Sequence, residues 1–573
     1  MYIDIVPNRS SPPAVLLRES YRDGDKVKKR TLANLSALPP EAVEAVRATL
    51  RGQTLVPVDE AFQILRARPH GHVAAVLGTM RKLGIAELLA NRSCRERDLA
   101  LAMIAARVLE PCSKLATARS LGSDTLSSSL GEVLGVEEAD ADELYRALDW
   151  LGRGQRRIER KLAKRHLDEG QLVLWDVTAI SFESRTCALA AYGRSKRGSS
   201  ERQLLFGLLT TGEGVPVSVE VFAGNTGDPA TVSSVVERIR DTFGLKRVVV
   251  VGDRGMLTEM RIEEDLRPHA LDWITSLRAP TIRKLWRDGP LQLSLFDDQD
   301  LAEITSPDFP GERLVACKNP LLAEDRARTR QELLAHTESK LQVVADATLR
   351  ETRPLRGKDQ IGVRVGRALA LSKVAKHFRY EITEDAFTFE RDDVSISEEA
   401  ALDGIYVLRT SLSAERMGNE DVVRAYKSLS HVERAFRVCK DFALEVEPIR
   451  HRREDRVRAH VFLCMLAYYV RLHMEQALAP ILFTDHDPEG AQASKPSIVA
   501  PAVRSPAALR KARRKRTDDG LPVHSFRSLM RDLATLTKNT VRLGDTAVVF
   551  TQYAQPTVLQ ERAFHLLDVS YRA

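Results

Sequence analysis

The spacing of apolar residues changes twice along the first half of the chain, and each pattern predicts a different structure. Over residues 1–52, short extended pieces and turns predict a small β-rich N-terminal module. Over 58–168, apolar residues recur at intervals of three and four, which predicts amphipathic helices. From residue 171, runs rich in Val, Leu, Ile and Phe replace that pattern and predict buried strands.

The region 171–280 has an order of elements that restricts its topology. Its strand-like runs are QLVLWDVTAISFE, RQLLFGLLTT, GVPVSVEVF, KRVVVVGD and LDWITSLR. The turn sequence TGEGVP joins the second run to the third and predicts an antiparallel hairpin. Between the third and fourth runs a helix is predicted, with Asp228 as its N-cap and Pro229 at its first position. This order predicts a mixed sheet, distinct from the repeated βαβ units of a Rossmann domain.

The rest of the chain divides into three further regions. A mixed stretch over 281–417 combines helical runs with the strand-like sequences YEIT, FTFER and GIYVLRT. Two long helices are predicted over 418–477, the second ending near Ala477. A basic and helical C-terminal region over 478–573 contains the cluster RKARRKR and a final helix over SFRSLMRDLATLTKNT.

Bulk composition limits the class of protein without naming a function. The 573 residues are too many for one hydrophobic core, so two to four domains are expected. Lys and Arg exceed Asp and Glu by 86 − 79 = 7, a surplus that permits a polyanionic partner without requiring one. The six cysteines include no C-x-x-C pair, which argues against a disulfide framework and a zinc site. Without a signal peptide or an apolar run of membrane-spanning length, we expect a cytoplasmic protein with no membrane partner.

Two aspartates in the strand-rich region are candidates for chemistry. Asp176 lies inside the hydrophobic strand LVLWDVTAI, where a buried charge is costly unless a cation or strong donors compensate it. Asp253 ends the strand VVVVGD, and strand ends in α/β sheets are where ligand sites collect. Each has a structural alternative: Asp176 could cap a turn or pair with an arginine, and Asp253 could simply begin a loop.

A third carboxylate lies on a predicted helix, AYKSLSHVERAFRVCK. Tyr426, Glu433 and Lys440 are spaced by seven residues and so share one face, with Arg434 and Arg437 beside them. The opposite apolar stripe is formed by Leu429, Val432, Phe436 and Cys439. Such a face could offer one metal ligand and several phosphate contacts, or it could be an ordinary solvated surface.

Taken together, the three acids indicate a possible metal site more strongly than any one of them does alone. Two carboxylates on neighbouring strands and a third on a helix packed against them could hold divalent cations. Mg²⁺ prefers oxygen ligands, and Mn²⁺ is a possible substitute. Two ions about 3.5–4 Å apart would stabilise the attacking and leaving oxygens of a phosphoryl displacement.

These residues carry a resemblance to a known family. The runs VLWDVTAISFE and VVVVGDRGM, followed by Tyr426-x6-Glu433-x6-Lys440, resemble bacterial insertion-sequence transposases of the DDE type. The resemblance implies a mixed α/β fold with an RNase H-like core and helical N-terminal and C-terminal regions. It also implies that Asp176, Asp253 and Glu433 are the catalytic, metal-binding triad and that Tyr426 and Lys440 contact the DNA end.

The sequence departs from the family pattern at one position. The Tyr-Arg-Glu-Lys signature of this branch places its arginine at the position of Leu429, so Arg434 or Arg437 would have to supply the DNA contact. The second Asp and the Glu are 433 − 253 = 180 positions apart. This gap is longer than the one in an RNase H fold that has no insertion. The resemblance implies that a largely β insertion domain fills this gap, over 281–417.

The expected function is therefore that of a transposase. It would bind the terminal inverted repeats of its element, cleave the DNA and transfer the strand, with double-stranded transposon ends and target DNA as partners. The resemblance implies a homodimer that bridges two ends, and the helical region 58–168 would contribute to end recognition. Two alternatives stay open: a structure-specific nuclease with the same fold, and a catalytically silent DNA-binding repressor derived from a transposase.

Overall fold

The computed structural model describes residues 1–9, 11–53, 61–125, 127–193, 201–297, 299–370, 373–441, 443–544 and 546–572. The chain divides into two units. The smaller comprises Met1–Pro69 with Leu536–Gln555, and the larger comprises His70–Thr535 with Pro556–Ala573. The C-terminal region is thus shared between the two units.

The strands are numbered in chain order: β1 (Tyr2–Val6), β2 (Ala14–Asp23), β3 (Lys26–Asn34), β4 (Phe62–Pro69), β5 (Leu172–Ser181), β6 (Ala191–Tyr192), β7 (Arg202–Thr211), β8 (Pro216–Ala223), β9 (Val249–Val251), β10 (Asp272–Ser276), β11 (Leu301–Ile304), β12 (Arg313–Lys318), β13 (Phe378–Ile382), β14 (Phe387–Arg391), β15 (Ile405–Thr410), β16 (Thr537–Leu543) and β17 (Val549–Tyr553).

The α-helices are α1 (Pro40–Leu50), α2 (Gly71–Lys82), α3 (Ile85–Leu89), α4 (Arg95–Leu109), α5 (Lys114–Leu121), α6 (Leu130–Leu134), α7 (Ala141–Arg153), α8 (Gln155–His166), α9 (Val232–Glu237), α10 (Glu259–Arg261), α11 (Ala279–Arg287), α12 (Pro320–Thr348), α13 (Lys358–Ala370), α14 (Asp393–Ala400), α15 (Asn419–Lys427), α16 (Leu429–Lys440), α17 (Glu454–Ala477), α18 (Pro488–Ala493), α19 (Pro506–Arg514), α20 (Phe526–Ala534) and α21 (Val558–Leu567).

The smaller unit contains two antiparallel three-stranded sheets. Strands β1, β2 and β3 form one sheet, and the order β17-β16-β4 forms the other. The predicted final helix therefore ends early, at Ala534, and TKNT begins β16 instead. Pairing with β4, in which Lys538 lies opposite Arg68, favours the extended backbone over the helical pattern that the sequence indicated.

The helical pattern of the sequence is confirmed from Gly71 to His166, which contains α2–α8. It does not reach back to residue 58, because Phe62–Pro69 form β4 and 54–60 lie outside the described residues. Helix α7 begins with a capping box, in which the Asp140 carboxylate accepts from the Glu143 N–H at 2.7 Å.

The larger unit is built on one nine-stranded sheet with the order β11-β12-β15-β10-β9-β5-β7-β6, and β8 pairs with β7. Strand β9 runs parallel to both β5 and β10, and the β7–β8 hairpin is antiparallel. The predicted mixed sheet is therefore confirmed. The helix before β9 starts one residue differently from the prediction, because Gly227 is its N-cap and Asp228 its first residue.

The Trp175 ring of β5 packs against a glycine of the neighbouring strand β7. A Cβ on Gly207 of β7 would lie 2.1 Å from the Trp175 ring, so only glycine leaves room for this ring. The indole Nε1 donates to the Thr231 hydroxyl at 3.2 Å. Trp175 is buried, and successive side chains alternate between the two faces of a strand, so Asp176 points to the other face.

The prediction of a largely β region over 281–417 is wrong. Helices α11–α14 contain more than twice as many residues as strands β11–β15 do, and α12 alone has 29. Strands β11, β12 and β15 also extend the central sheet, with β15 paired to β10. The sequence pattern identified β13, β14 and β15 but missed β11 and β12. It also could not show that β15 joins the central sheet, because strand pairing is set by long-range contacts. The RNase H-like core and the inserted domain stay predictions.

The predicted glutamate helix is two helices that meet at Ser428. Its hydroxyl donates to the Ala425 carbonyl at 2.6 Å, a local bond that competes with the regular helical ladder. Helix α17 ends at Ala477 as predicted, and its segment 461–470 is buried throughout. Among the described residues, no helix is both long and apolar enough to cross a membrane.

Candidate active site

Asp176 lies in β5, and Asp253 lies in the loop that follows the adjacent strand β9. The parallel pairing of β5 and β9 sets Leu172 opposite Val249 and Leu174 opposite Val251. Asp176 follows Leu174 by two residues, and Asp253 follows Val251 by two. Both acids therefore lie just beyond the same end of the paired segment.

Backbone donors fix the Asp253 side chain in its loop. Its Oδ1 accepts from the N–H groups of Gly255 and Met256, each at 2.9 Å. A Cβ on Gly255 would lie 3.3 Å from the same oxygen, so a larger residue would crowd the carboxylate. Asp253 remains exposed, whereas Asp176 is half-buried and accepts from the Val177 N–H at 2.8 Å. Asp253 therefore does begin a loop, and the backbone N–H groups of that loop orient its side chain.

Glu433 lies on the exposed side of the helix that covers β5 and β7. The opposite side of α16 is buried and contains Val432, Ala435, Phe436 and Cys439. The Phe436 ring packs edge-on against Phe206 of β7, with centroids 5.2 Å apart. Within the described part of the chain, the Glu433 carboxylate forms no ion pair or hydrogen bond.

Tyr426 connects the helical part of the site to the sheet. Its hydroxyl and that of Ser276, at the end of β10, are 2.8 Å apart. Burial raises the pKa of Tyr426, and the negative charges of Asp253 and Glu433 raise it further. Tyr426 therefore lies within electrostatic range of both carboxylates and keeps its proton at neutral pH. Sequence reasoning missed Ser276, although its place at a strand end next to β9 could have suggested it.

Lys440 ties the end of α16 to β5 close to Asp176. Its Nζ donates to the Thr178 hydroxyl at 2.6 Å and to the Ala179 carbonyl. These residues follow Asp176 by two and three positions. Lys440 therefore fixes the covering helix beside the aspartate pair, and its predicted contact with DNA stays a prediction.

The two candidate arginines of α16 differ in their surroundings. Arg434 donates to the Glu475 carboxylate of α17 at 3.0 Å, so its charge is partly compensated. Arg437 is exposed, and among the described residues no carboxylate pairs with it. Leu429 is the half-buried first residue of α16 and offers no polar group. The two arginines therefore differ in how far a carboxylate compensates their charge.

Several basic residues of α8 and of the cluster RKARRKR bond with backbone carbonyls. On α8, Arg157, Lys161 and Arg165 donate to the carbonyls of Leu89, Glu87 and Leu83, which satisfies the ends of α2 and α3. In the cluster at 510–516, Lys511 is buried and donates to the Ala479 carbonyl at 2.7 Å. Much of this positive charge therefore supports the fold.

The donor chemistry suits a divalent cation that prefers oxygen ligands. Asp176, Asp253 and Glu433 supply carboxylates only, without a thiolate or imidazole that would favour a softer ion. No group of three His, Cys, Asp or Glu side chains among the described residues lies close enough together to hold a metal. Asp176 and Asp253 lie beyond the same end of the β5–β9 pairing, and Glu433 lies on the adjoining helix α16.

Comparison with known families gives two matches. Residues 169–470 match the family described as "Transposase DDE domain", a match that covers more than half of the chain and includes all three acids. Residues 3–56 match the family described as "IS1634 family transposase, N-terminal domain". No curated protein matches the sequence.

Proposed function

The chain belongs to the DDE transposases of bacterial insertion sequences, and from this premise we propose that it cleaves and rejoins DNA through Asp176, Asp253 and Glu433. It would bind the terminal inverted repeats of its own element, nick the DNA and join the freed end to a target. The pairing of β5 with β9 carries the proposal, because Asp176 and Asp253 each follow the last paired residue by two positions, at the same end of the paired segment.

The surroundings of the pair support a role in phosphodiester chemistry. Glu433 is exposed on the helix that packs across β5, and Tyr426 lies within electrostatic range of Asp253 and Glu433. Carboxylates that lie close to one another repel, and each disfavours the charged form of its neighbour. A cation that binds between them would relieve this repulsion.

DDE transposases generally use divalent metal ions. We propose Mg²⁺ as the natural ion, with Mn²⁺ as a substitute, and two ions bound during the reaction. Asp176 and Asp253 would be the main ligands, and Glu433 would complete the set. When bound, such ions supply positive charge to the oxygens that attack and leave phosphorus.

The protein side chains then have distinct tasks. The Tyr426 hydroxyl keeps its proton and can donate to a phosphate oxygen next to the carboxylates. Arg437 can bind a neighbouring phosphate, and Lys440 holds α16 against β5. In the first step a P–O bond forms to water and the bond to a 3′-oxygen breaks. In the second, that 3′-hydroxyl loses its proton and its oxygen forms a bond to a phosphorus of the target DNA. The bond from this phosphorus to the target's own 3′-oxygen breaks, which leaves a 3′-hydroxyl on the target strand.

The partners follow from this chemistry. Transposases of this family bind DNA at transposon ends, and we propose that this chain acts as a homodimer that holds two ends together. In such a dimer, both cleaved ends would be joined to the same target DNA.

The test is a cleavage and joining assay with the full-length protein. A labelled duplex that ends in the terminal repeat flanking the coding region would be incubated with Mg²⁺ and a supercoiled plasmid. We expect a nick at the repeat end and covalent joining of the label to the plasmid, both abolished in Asp176→Ala. Cleavage without joining would replace the proposal by a nuclease, and specific binding without cleavage would replace it by a repressor.

A further inference from the structure

A positively charged cleft lies beyond the C-terminal end of β5. It contains none of the residues of the candidate active site. An open cleft of about 840 Å³ is lined by the segment after β5, the start of β7 and the start of α17. Four arginines contribute to its wall: Arg202, Arg452, Arg453 and Arg458. Glu454 and Asp455 are the carboxylates in the same wall, so the arginines exceed the acids by two.

The ion pairs of this region leave most of the positive charge uncompensated. Arg453 is paired with Asp455 at 2.5 Å. Arg202, Arg452 and Arg458 have no carboxylate partner among the described residues, and Glu454 has no cation partner there. Three unpaired guanidinium groups against one unpaired carboxylate make the cleft attractive to anions.

Two of these arginines are held in position by neutral groups. Arg202 donates to the Arg185 carbonyl at 3.0 Å and lies over the Phe182 ring, 5.0 Å from its centroid. Arg458 donates to the Val221 carbonyl. A backbone carbonyl orients a guanidinium without neutralising it, so the remaining N–H groups keep their charge for a ligand. Planar guanidinium groups of this kind match the geometry of phosphate oxygens.

The position of the cleft relates it to the aspartate pair. Ser181 pairs with Gln203, and the Phe182 N–H donates to the Arg202 carbonyl at 3.1 Å, so Arg202 lies beside Phe182. Phe182 follows Asp176 by six residues, and a strand advances 3.3–3.4 Å per residue, which makes the separation about 20 Å. A DNA duplex rises about 3.4 Å per base pair, so about six base pairs span the same distance.

We propose that this arginine-lined cleft binds the phosphate backbone of the DNA duplex, about six base pairs from the phosphodiester that is cleaved. The inference rests on the proposed function, because the aspartate pair marks the cleavage point. An open wall of several separated arginines suits a polymer with successive phosphates better than one small anion. Backbone contacts of this kind position a duplex without reading its sequence.

The test uses Arg452, which is exposed and has no partner that the fold requires. Binding of full-length Arg452→Ala, Arg452→Lys and Arg364→Ala would be measured over a range of KCl concentrations. Arg364 is an exposed arginine of α13 and is the matched control. The probes are a 40-bp duplex that ends in the terminal repeat and a random duplex of equal length.

Loss of one phosphate contact should lower the slope of log K against log [salt] by about 0.9 and weaken both duplexes about five- to tenfold. Arg452→Lys should retain most of the affinity, and Arg364→Ala should match the wild type. Phosphate-ethylation interference should also disappear from one position about six base pairs from the repeat end in Arg452→Ala.

An unchanged slope and an unchanged interference pattern in Arg452→Ala would overturn the inference. So would a loss confined to the terminal-repeat duplex, because a backbone contact cannot distinguish sequences. These measurements need no cleavage. A wild-type protein that binds but does not cut would therefore overturn the proposed function while leaving the result for Arg452 readable.

Discussion

Asp176 and Asp253 each lie two residues past Leu174 and Val251, the last paired residues of the parallel strands β5 and β9. A shift of either strand by one residue would end this correspondence between the two acids. The register is held by buried residues on both sides, including Trp175 on β5 and Val250 on β9. The geometry of the candidate site is therefore a consequence of core packing.

Replacing Gly207 by Ala should damage this register. The new Cβ would lie 2.1 Å from the Trp175 ring, next to Asp176, and the ring cannot move without losing its bond to Thr231. We expect a loss of about 1–3 kcal/mol in the free energy of unfolding, measured by urea unfolding followed through tryptophan fluorescence. Gly362→Ala on α13 is the control, since its Cβ meets nothing within 4 Å and should stabilise by up to about 1 kcal/mol. Equal stability of Gly207→Ala and the wild type would contradict the packing described for β5.

Removing the Tyr426 hydroxyl should weaken DNA-end binding without unfolding the protein. Tyr426→Phe keeps the ring and loses only the group that bonds with Ser276 and lies near the two carboxylates. We expect about three- to tenfold weaker binding of the terminal-repeat duplex, measured by fluorescence anisotropy. Ser276→Ala keeps the tyrosine hydroxyl as a donor and should weaken binding of this duplex less than Tyr426→Phe does. Greater loss in Ser276→Ala than in Tyr426→Phe would show that this pair has only a structural role.

The two arginines of α16 should differ in their effect on binding. Arg437 is exposed without an ion pair, whereas Arg434 is paired with Glu475. We expect Arg437→Ala to weaken DNA binding about fivefold and Arg434→Ala by no more than about twofold, because a compensated charge attracts phosphate less. Anisotropy at two salt concentrations separates the cases. The reverse order would mean that DNA displaces Glu475 from Arg434.

Lys114 should make stability depend on pH above neutrality. Burial lowers the pKa of Lys114 from 10.5 to about 7, with a further contribution from Arg107. Between these values the unfolded chain binds the proton and the folded chain does not, so stability rises with pH there. The Lys114→Met substitution removes this pH-dependent contribution to the free energy of unfolding. The wild type should therefore gain up to about 1.4 kcal/mol per pH unit relative to Lys114→Met between pH 7.5 and 9.

Urea unfolding at three pH values would measure this difference. His451 and His460 lie near the same lysine, but burial lowers their pKa values and keeps their titration below this range. Parallel stability curves for the wild type and Lys114→Met would contradict a neutral buried lysine.

Local patterns predicted much of the fold and the candidate residues of the active site other than Ser276. Alternation and apolar runs located β5, β7, β8, β9 and β10, because a buried strand imposes its period on the sequence. The same patterns could not show that Asp176 and Asp253 both follow the paired ends of β5 and β9, since strand pairing depends on contacts 77 residues apart in the chain. They also missed the break at Ser428 and the extension of β16, which local hydrogen bonding and pairing with β4 decide. Lys440 was predicted as a DNA contact, and its bonds to Thr178 and Ala179 show a second role that spacing cannot reveal.

The central claim is that Asp176, Asp253 and Glu433 act in the cleavage of DNA. The most direct measurement compares Mg²⁺-dependent nicking of a terminal-repeat duplex by Asp176→Ala, Asp253→Ala and Glu433→Ala, with binding measured on the same preparations. Asp359→Ala, which removes an exposed carboxylate of α13, is the control. We predict that each of the three loses nicking by at least about a thousandfold while binding changes by less than about threefold. Nicking at wild-type rates in any of the three variants would contradict the account.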